Sequence, residues 1–244
     1  KDEERLVKKI RDSLRKYEDL LRKLVERIRD LLRRYEEELR KLLTEIEKTL
    51  EDVRDVLRRK NVDERAKEVA KRLVEAVKRL IEIVKRILEK TKRVVKKLED
   101  LLRRAAELNR DVVEKILEII KRKGPEDDFR RIVRRLEELH REVEDAVRKL
   151  VEDLKRLHRE VVEELADIIR KLDKLLKEVE RDIDLGDLLE MLRRLVERLK
   201  RLIERVLKLN RELVKKLLEL LEEALRRNRR LVEDILKIAD EARK

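Results

Sequence analysis

The chain has 244 residues, of which 54% are charged and 1% aromatic, with a formal net charge of +13, two glycines, one proline and no cysteine. So few turn residues and aromatics exclude most β architectures, which need punctuation every 8–12 residues or so. Without cysteine there are no disulfides, thiolate metal sites or cysteine nucleophiles. A chain rich in Leu, Glu, Lys and Arg in a helical period has instead the composition of long packed helices.

The apolar 41% is patterned rather than scattered, which separates the chain from a disordered polyelectrolyte. No more than two apolar residues stand together, so no segment is expected to span a bilayer as a helix, and Lys1–Arg5 lacks the apolar core of a signal peptide. The expectation is a soluble protein, cytoplasmic when expressed recombinantly. The positive charge is uneven, +8 over residues 63–124 against −4 over 125–184. Acidic residues are interleaved with bases at i,i+3 and i,i+4, where they support a helix, and no aromatics lie among the bases to stack on nucleobases. A solvated helix surface is therefore preferred to a nucleic-acid interface.

Residues 2–59 read as one helix, with Asp2, Glu3 and Glu4 at its positive dipole end. Its apolar columns recur every eighteen residues: Leu6/Leu24/Leu42, Ile10/Ile28/Ile46, Leu14/Leu32/Leu50, Tyr17/Tyr35/Val53 and Leu21/Leu39/Leu57. A heptad from Leu6 fails at Arg27, and an eleven-residue step from Leu14 reaches Glu36. Eighteen residues are five turns of an undistorted helix. Such a pattern demands neither left- nor right-handed supercoiling, so the helices are expected to be nearly straight.

The pattern breaks at Lys60–Asp63, where Asn61 suits a left-handed helix end and Asp63 an N-cap. A second helix, about 64–122, carries Ala66/Val84/Leu102/Ile120 and Val77/Val95/Val113. Gly124-Pro125 then uses the asymmetry of helix termini, Gly past one end and Pro at the next start. The third helix, about 126–181, repeats Leu136/Leu154/Leu172 and Leu139/Leu157/Leu175. In the last turn Asp184 reads as N-cap, Asp187 as N3, and Ile183 as a staple onto Leu188. The fourth helix, about 185–242, repeats Leu195/Leu213/Leu231 and Leu199/Leu217/Ile235. Four helices of ~87 Å at 1.5 Å per residue, joined by short loops, predict an all-α fold. It is a single-chain up-down-up-down antiparallel four-helix bundle of long, nearly straight helices, one domain over 1–244.

Polar residues interrupt otherwise apolar columns: Ser13/Leu31/Thr49, Leu73/Thr91/Asn109, His140/His158/Leu176 and Leu192/Asn210/Asn228. When the chain is folded at its three turns, Ser13, Asn109, His140 and Asn228 fall at one height. Thr91, His158 and Asn210 fall at a second height about 27 Å away at the helical rise, and Tyr17 and Tyr35 reach similar heights. Asn, hydroxyl and neutral His groups are complementary donors and acceptors. The expectation is two buried hydrogen-bond layers that pin register and topology, because a slipped register would bury them unpaired.

Sharper chemistry fits less well. Bis-His haem ligation needs two histidines at one level, and His140 and His158 lie on one helix, five turns apart. Glu137-x-x-His140 matches half of a bundle di-metal motif, but Lys155 stands three residues before His158. Ser13 with His140 has no evident orienting carboxylate or oxyanion hole. Lipid-binding helices have Pro-punctuated 11- or 22-residue repeats, which are absent. No catalytic, cofactor or metal site is expected, nor a partner, nucleic acid or membrane, and the chain is expected to be monomeric.

The eighteen-residue ladder, the Glu/Lys/Arg surface, the minimal loops, and Ser13, Thr91, Asn109, His140, His158, Asn210 and Asn228 in apolar columns together resemble a known group. They look like de novo designed, parametrically generated, untwisted antiparallel helical bundles with buried hydrogen-bond networks. The resemblance covers the whole chain and implies a hyperstable scaffold with no evolved activity. A histidine in each layer departs from the simplest members. It keeps open an alternative, a designed binding or pH-responsive module such as half of a hetero-assembly.

Overall fold

The computed structural model describes residues 2–181 and 186–242. Four helices follow one another, α1 (Asp2–Arg58), α2 (Glu64–Arg122), α3 (Glu126–Arg181) and α4 (Gly186–Ala242), with no strand among the described residues. Each neighbour runs antiparallel, giving the up-down four-helix bundle that the apolar ladder predicts. Ile10, Ile28 and Ile46 are fully buried, as are Leu136, Leu154 and Leu172. Burial of each such side chain contributes roughly 1.5–3 kcal/mol. The columns that flank these, such as Val133, Val151 and Ile169, are only half-buried, as expected of positions at the edge of a helix's apolar face.

All four helices contribute to each of two compact units. One comprises residues 1–31, 94–154 and 215–244, and the other residues 32–93 and 155–214. Ion pairs between helices report the register inside each unit. In the first, Glu18–Arg110 at 3.7 Å is followed eleven residues along α1, and eleven back along α2, by Arg29–Glu99 at 3.4 Å. In the second, Glu45–Arg205 and Asp52–Arg198 step seven along α1 and seven back along α4. Arg72–Glu178, Arg86–Glu164 and Lys90–Glu160 step fourteen and then four along α2, and equally back along α3. A one-for-one exchange of residues requires equal rise on both partners, which is what an eighteen-residue period without supercoiling supplies. These pairs lie at the surface with at least one partner well exposed, and each contributes at most about 1 kcal/mol. They mark the register more than they hold it.

The turns follow local chemistry. Asn61 adopts φ 63° after α1, the left-handed region that Asn tolerates better than most residues. Asp63 begins α2: its carbonyl accepts from Lys67 N at 3.0 Å, and its carboxylate accepts a long bond from Arg65 N at 3.4 Å. The end of α2 lies before Gly124, and α3 begins just after Pro125, as Gly past one helix end and Pro at the next start predict. Gly124 N donates to Ile119 O at 3.0 Å and Lys123 N to Ile120 O at 3.3 Å. This is a Schellman closure whose left-handed residue is Lys123, at φ 51°, rather than Gly124. A Cβ on Gly124 would lie 3.3 Å from Ile119 Cγ2, a tight contact that Ile119 must yield a little to accept.

A non-glycine residue in the left-handed region costs roughly 1–2 kcal/mol, against roughly 0.4–1 kcal/mol of extra unfolded-state entropy for glycine. Lys123→Gly is therefore expected to stabilise by roughly 0.5–1 kcal/mol, read as a higher denaturant midpoint. An unchanged or lower midpoint would show that Lys123 is unstrained. The assignment of Asp184 as cap and Ile183 as staple concerns residues outside those described. α4 itself opens with Gly186 at φ 65°.

Candidate functional site

The first unit contains a hydrogen-bonded cluster drawn from all four helices. Asn228 on α4 is its hub. Tyr17 Oη donates to Asn228 Oδ1 at 2.7 Å, and Asn109 Nδ2 donates to the same oxygen at 2.8 Å. Asn228 Nδ2 meets His140 Nδ1 at 2.6 Å. Asn109 Nδ2 also lies 3.1 Å from Tyr17 Oη and 2.8 Å from Ala105 O, one turn back on its own helix. The Ala105 carbonyl can only accept, which fixes the orientation of the Asn109 amide and leaves its Oδ1 buried without a partner.

These contacts assign the histidine tautomer. Asn228 Oδ1 receives two donors, so its Nδ2 must donate to His140 Nδ1, and the ring proton sits on Nε2. Nε2 in turn lies 2.8 Å from Glu144 Oε1, which also accepts from Arg229 Nη2 at 3.2 Å. The cluster thus runs from two buried amides out to a surface ion pair.

The second unit repeats the arrangement eighteen residues along every helix. Tyr35 Oη donates to Asn210 Oδ1 at 3.1 Å, and Asn210 Nδ2 meets His158 Nδ1 at 2.9 Å. Two positions differ. Thr91 replaces the asparagine of α2; its hydroxyl lies close enough to Tyr35 to favour the phenol's ionised form, yet it makes no hydrogen bond of full geometry. Val162 stands where the first cluster has Glu144, and at 38% exposure it is a large apolar side chain left facing solvent.

Of the residues singled out in the sequence, Asn109, His140 and Asn228 come together in one cluster, and His158 and Asn210 in the other. Ser13 is only half-buried and makes no hydrogen bond to its cluster; Tyr17, one turn on, supplies the α1 hydroxyl instead. The same column's Thr49 is fully buried but satisfies itself on Glu45 O at 2.9 Å. The tyrosines, which height alone had placed nearby, are central. Glu144 and Arg229 escaped notice because, in sequence, they are two more charges on a charged face. The eighteen-residue shift was the available signal: Arg193, Arg211 and Arg229 recur on α4 opposite Glu180, Val162 and Glu144 on α3.

Burial sets the electrostatics. It pushes the Tyr17 phenol far above its usual value, with Glu18 adding to the rise and the Asn109 hydrogen bond opposing it. The Tyr35 phenol is pushed up to about 12, again by burial. For Glu144 burial opposes ionisation, but the Arg229 hydrogen bond, the imidazole of His140 when it is protonated, and the charges of Arg229 and Arg148 outweigh it and lower its pKa.

Burial, and then the positive charge of Arg211, holds the His158 imidazole below its usual pKa. The folded state therefore prefers the neutral ring. The stability this confers is complete above the unfolded-state pKa of about 6.5 and is lost as pH falls from there through the lower folded-state value. Melting temperature should thus fall more between about pH 8 and about pH 5 in the native chain than in His158→Gln, the titration being centred on this window. Equal falls would show that His158 does not titrate on unfolding.

The chemical capacity of these clusters is limited. Both nitrogens of His140 are engaged, by Asn228 and Glu144, and neither meets Ser13. Among the described residues no three His, Cys, Asp or Glu side chains gather as a metal site, and no helix is long and apolar enough to cross a membrane. Comparison with protein-family models, with curated proteins and with solved structures finds no match to this chain.

Proposed function

We propose that the chain is a designed structural scaffold without an evolved catalytic activity, in which the two polar clusters specify helix register and topology. The observation that carries this reading is the repetition itself. Tyr17, His140 and Asn228 recur as Tyr35, His158 and Asn210 by the same eighteen-residue step on three helices, and in each set the asparagine joins the tyrosine and the histidine by hydrogen bonds. Sliding any helix by one turn would carry these groups against Leu, Ile and Val and leave them unpaired, at about 1–3 kcal/mol for each buried group. Apolar columns alone would tolerate such a slide.

The test replaces both clusters with apolar residues: Tyr17→Phe, Asn109→Leu, His140→Leu and Asn228→Leu together with Tyr35→Phe, Thr91→Val, His158→Leu and Asn210→Leu. The variant is expected to stay helical and to match or exceed the native resistance to denaturant, since apolar replacement of a whole buried polar group is often neutral or stabilising. It should also lose uniqueness, seen as multiple backbone amide resonances or a mixture of oligomers. One set of resonances with native interhelical contacts would remove the register-specifying role.

A further inference from the structure

The two clusters share a plan but differ in how firmly each hub asparagine is held. In the first, the Asn228 amide is fixed from α2. Asn109 Nδ2 donates to Ala105 O at 2.8 Å, which only accepts, and to Asn228 Oδ1 at 2.8 Å. Turning Asn228 over would set its Nδ2 against Asn109 Nδ2, donor against donor. Asn109 cannot follow without setting its own Oδ1 against the Ala105 carbonyl. In the second cluster Thr91 stands in place of that anchor. Asn210 meets Tyr35 Oη at 3.1 Å and His158 Nδ1 at 2.9 Å. A phenol can donate or accept, so Tyr35 suits either end of the Asn210 amide. Thr91 lies eighteen residues before Asn109, whose side chain reaches Tyr17 Oη at 3.1 Å. It is 2% exposed, and its hydroxyl makes no hydrogen bond among the described residues.

We propose that the second cluster is a proton-operated switch: when His158 takes up a proton at Nδ1, Asn210 turns its amide over, whereas Asn228 in the first cluster stays locked. Neutral His158 accepts from Asn210 at Nδ1, so its ring proton lies on Nε2. A second proton, taken from solvent by the half-buried ring, has only Nδ1 to occupy. There it meets Asn210 Nδ2 at 2.9 Å, two donors face to face. Half a turn of the amide brings Oδ1 to the ring, where it accepts a charge-assisted bond, and Nδ2 to Tyr35 Oη. The phenol, now an acceptor, swings its own proton to the Thr91 hydroxyl, an acceptor that the neutral cluster leaves unused. Both bonds of the neutral state are thus replaced without moving a helix. The surrounding charges do not relieve the conflict. Val162 stands four residues after His158, where Glu144 supplies a carboxylate to His140 at 2.8 Å. Arg211 of α4 opposes the ring's charge, and Lys155 and Arg159 flank it along α3. Lys90 of α2 is paired with Glu160 of α3, and Lys92 of α2 with Glu36 of α1. The Tyr35 phenol of α1 stays neutral in acid.

The experiment is an acid titration of the isotope-labelled full chain, followed by nuclear magnetic resonance from about pH 8 to about pH 4, across the histidine range. At the start a nitrogen–nitrogen coupling across the hydrogen bond is expected between Asn210 Nδ2 and His158 Nδ1. As His158 is protonated that coupling should vanish, and the Asn210 amide protons should move their close contacts from the imidazole to the Tyr35 ring. The helices should stay folded, and Asn228 should keep its amide on His140. Thr91→Asn restores the anchor, because Ile87 stands one repeat before Ala105 and offers the same carbonyl. It should hold Asn210 in place and lower the His158 midpoint by about one pH unit, the equivalent of one hydrogen bond. Thr91→Val removes the waiting acceptor alone and should shift the midpoint in the same direction. The proposal is overturned if Asn210 keeps its orientation while His158 carries its second proton, or if Asn228 turns as Asn210 does. It is overturned too if the ring stays neutral until the helices melt. An unchanged midpoint in Thr91→Asn, or in Thr91→Val should the first variant not fold, has the same force. The outcome does not depend on whether the polar clusters specify register.

Discussion

Asn228→Ala is expected to destabilise the protein by about 3–4 kcal/mol, more than any other single truncation within the two clusters, from two or three stranded groups at about 1–3 kcal/mol each together with a cavity. Asn228 is 1% exposed and serves three partners on three other helices. After truncation the Tyr17 hydroxyl loses its acceptor and His140 Nδ1 loses its donor. Asn109 keeps Ala105 O but loses the second amide. Asn210→Ala should cost less, because Asn210 serves only Tyr35 and His158 and Thr91 contributes no bond to strand. The ordering is measurable by denaturant unfolding of the two variants, supplemented by amide exchange near residue 228, because a chain of two compact units need not unfold in one step. Adding Tyr17→Phe to Asn228→Ala should then cost less than Tyr17→Phe alone, the non-additivity of residues that share a bond. Equal effects for Asn228 and Asn210, or strict additivity, would mean that the hub geometry carries no energy.

Much of this arrangement is legible in the sequence, for a physical reason. A ladder that returns every five turns leaves each helix one face, so a polar residue in an inner column must be buried and must find partners. That reasoning locates His140, His158, Asn109, Asn210 and Asn228, and places each helix end within about one residue of where it falls. It fails where burial does not force a long-range partner. Thr49 bonds its own backbone, and Ser13 sits at the edge of the apolar face, so a shared column did not make them members of a cluster. It fails also for residues whose polar atom hides in an apolar pattern. Tyr17 and Tyr35 fill the positions that Val53 fills one repeat later, and nothing in the periodicity shows where a phenol points. Glu144 was the hardest to read. Its role depends on four residues of spacing from His140 and on Arg229 across the groove, and only the contrast with Val162 makes it conspicuous.

Alkaline pH should unfold the chain through its two tyrosines. In the folded state burial holds the Tyr35 phenol up to about 12 and Tyr17 higher still, whereas in the unfolded chain both titrate near 10. A raised folded-state pKa contributes stability that is whole below the unfolded-state value and is lost as pH rises through the folded-state one. Between about pH 10 and about pH 12 the Tyr35 difference alone removes roughly 2–3 kcal/mol, at about 1.4 kcal/mol per pKa unit. Tyr35 is 2% exposed, so solvent screening takes little from that figure. Tyr17 adds to it. Lysine deprotonation overlaps this window, and a variant with Tyr17→Phe and Tyr35→Phe isolates the phenols because it keeps every lysine. Near neutral pH that variant should be the less stable by about 1 kcal/mol per lost hydrogen bond, since Asn210 Oδ1 loses its donor and Asn228 Oδ1 keeps only Asn109. Above about pH 11 the order should reverse. In the native chain tyrosinate absorbance should rise in the same step in which helical circular dichroism falls, because ionisation is coupled to opening of the clusters. Tyrosinate appearing near pH 10 with the helices intact would show that the phenols are reachable by solvent and that neither Asn228 nor Asn210 holds its tyrosine in a closed core.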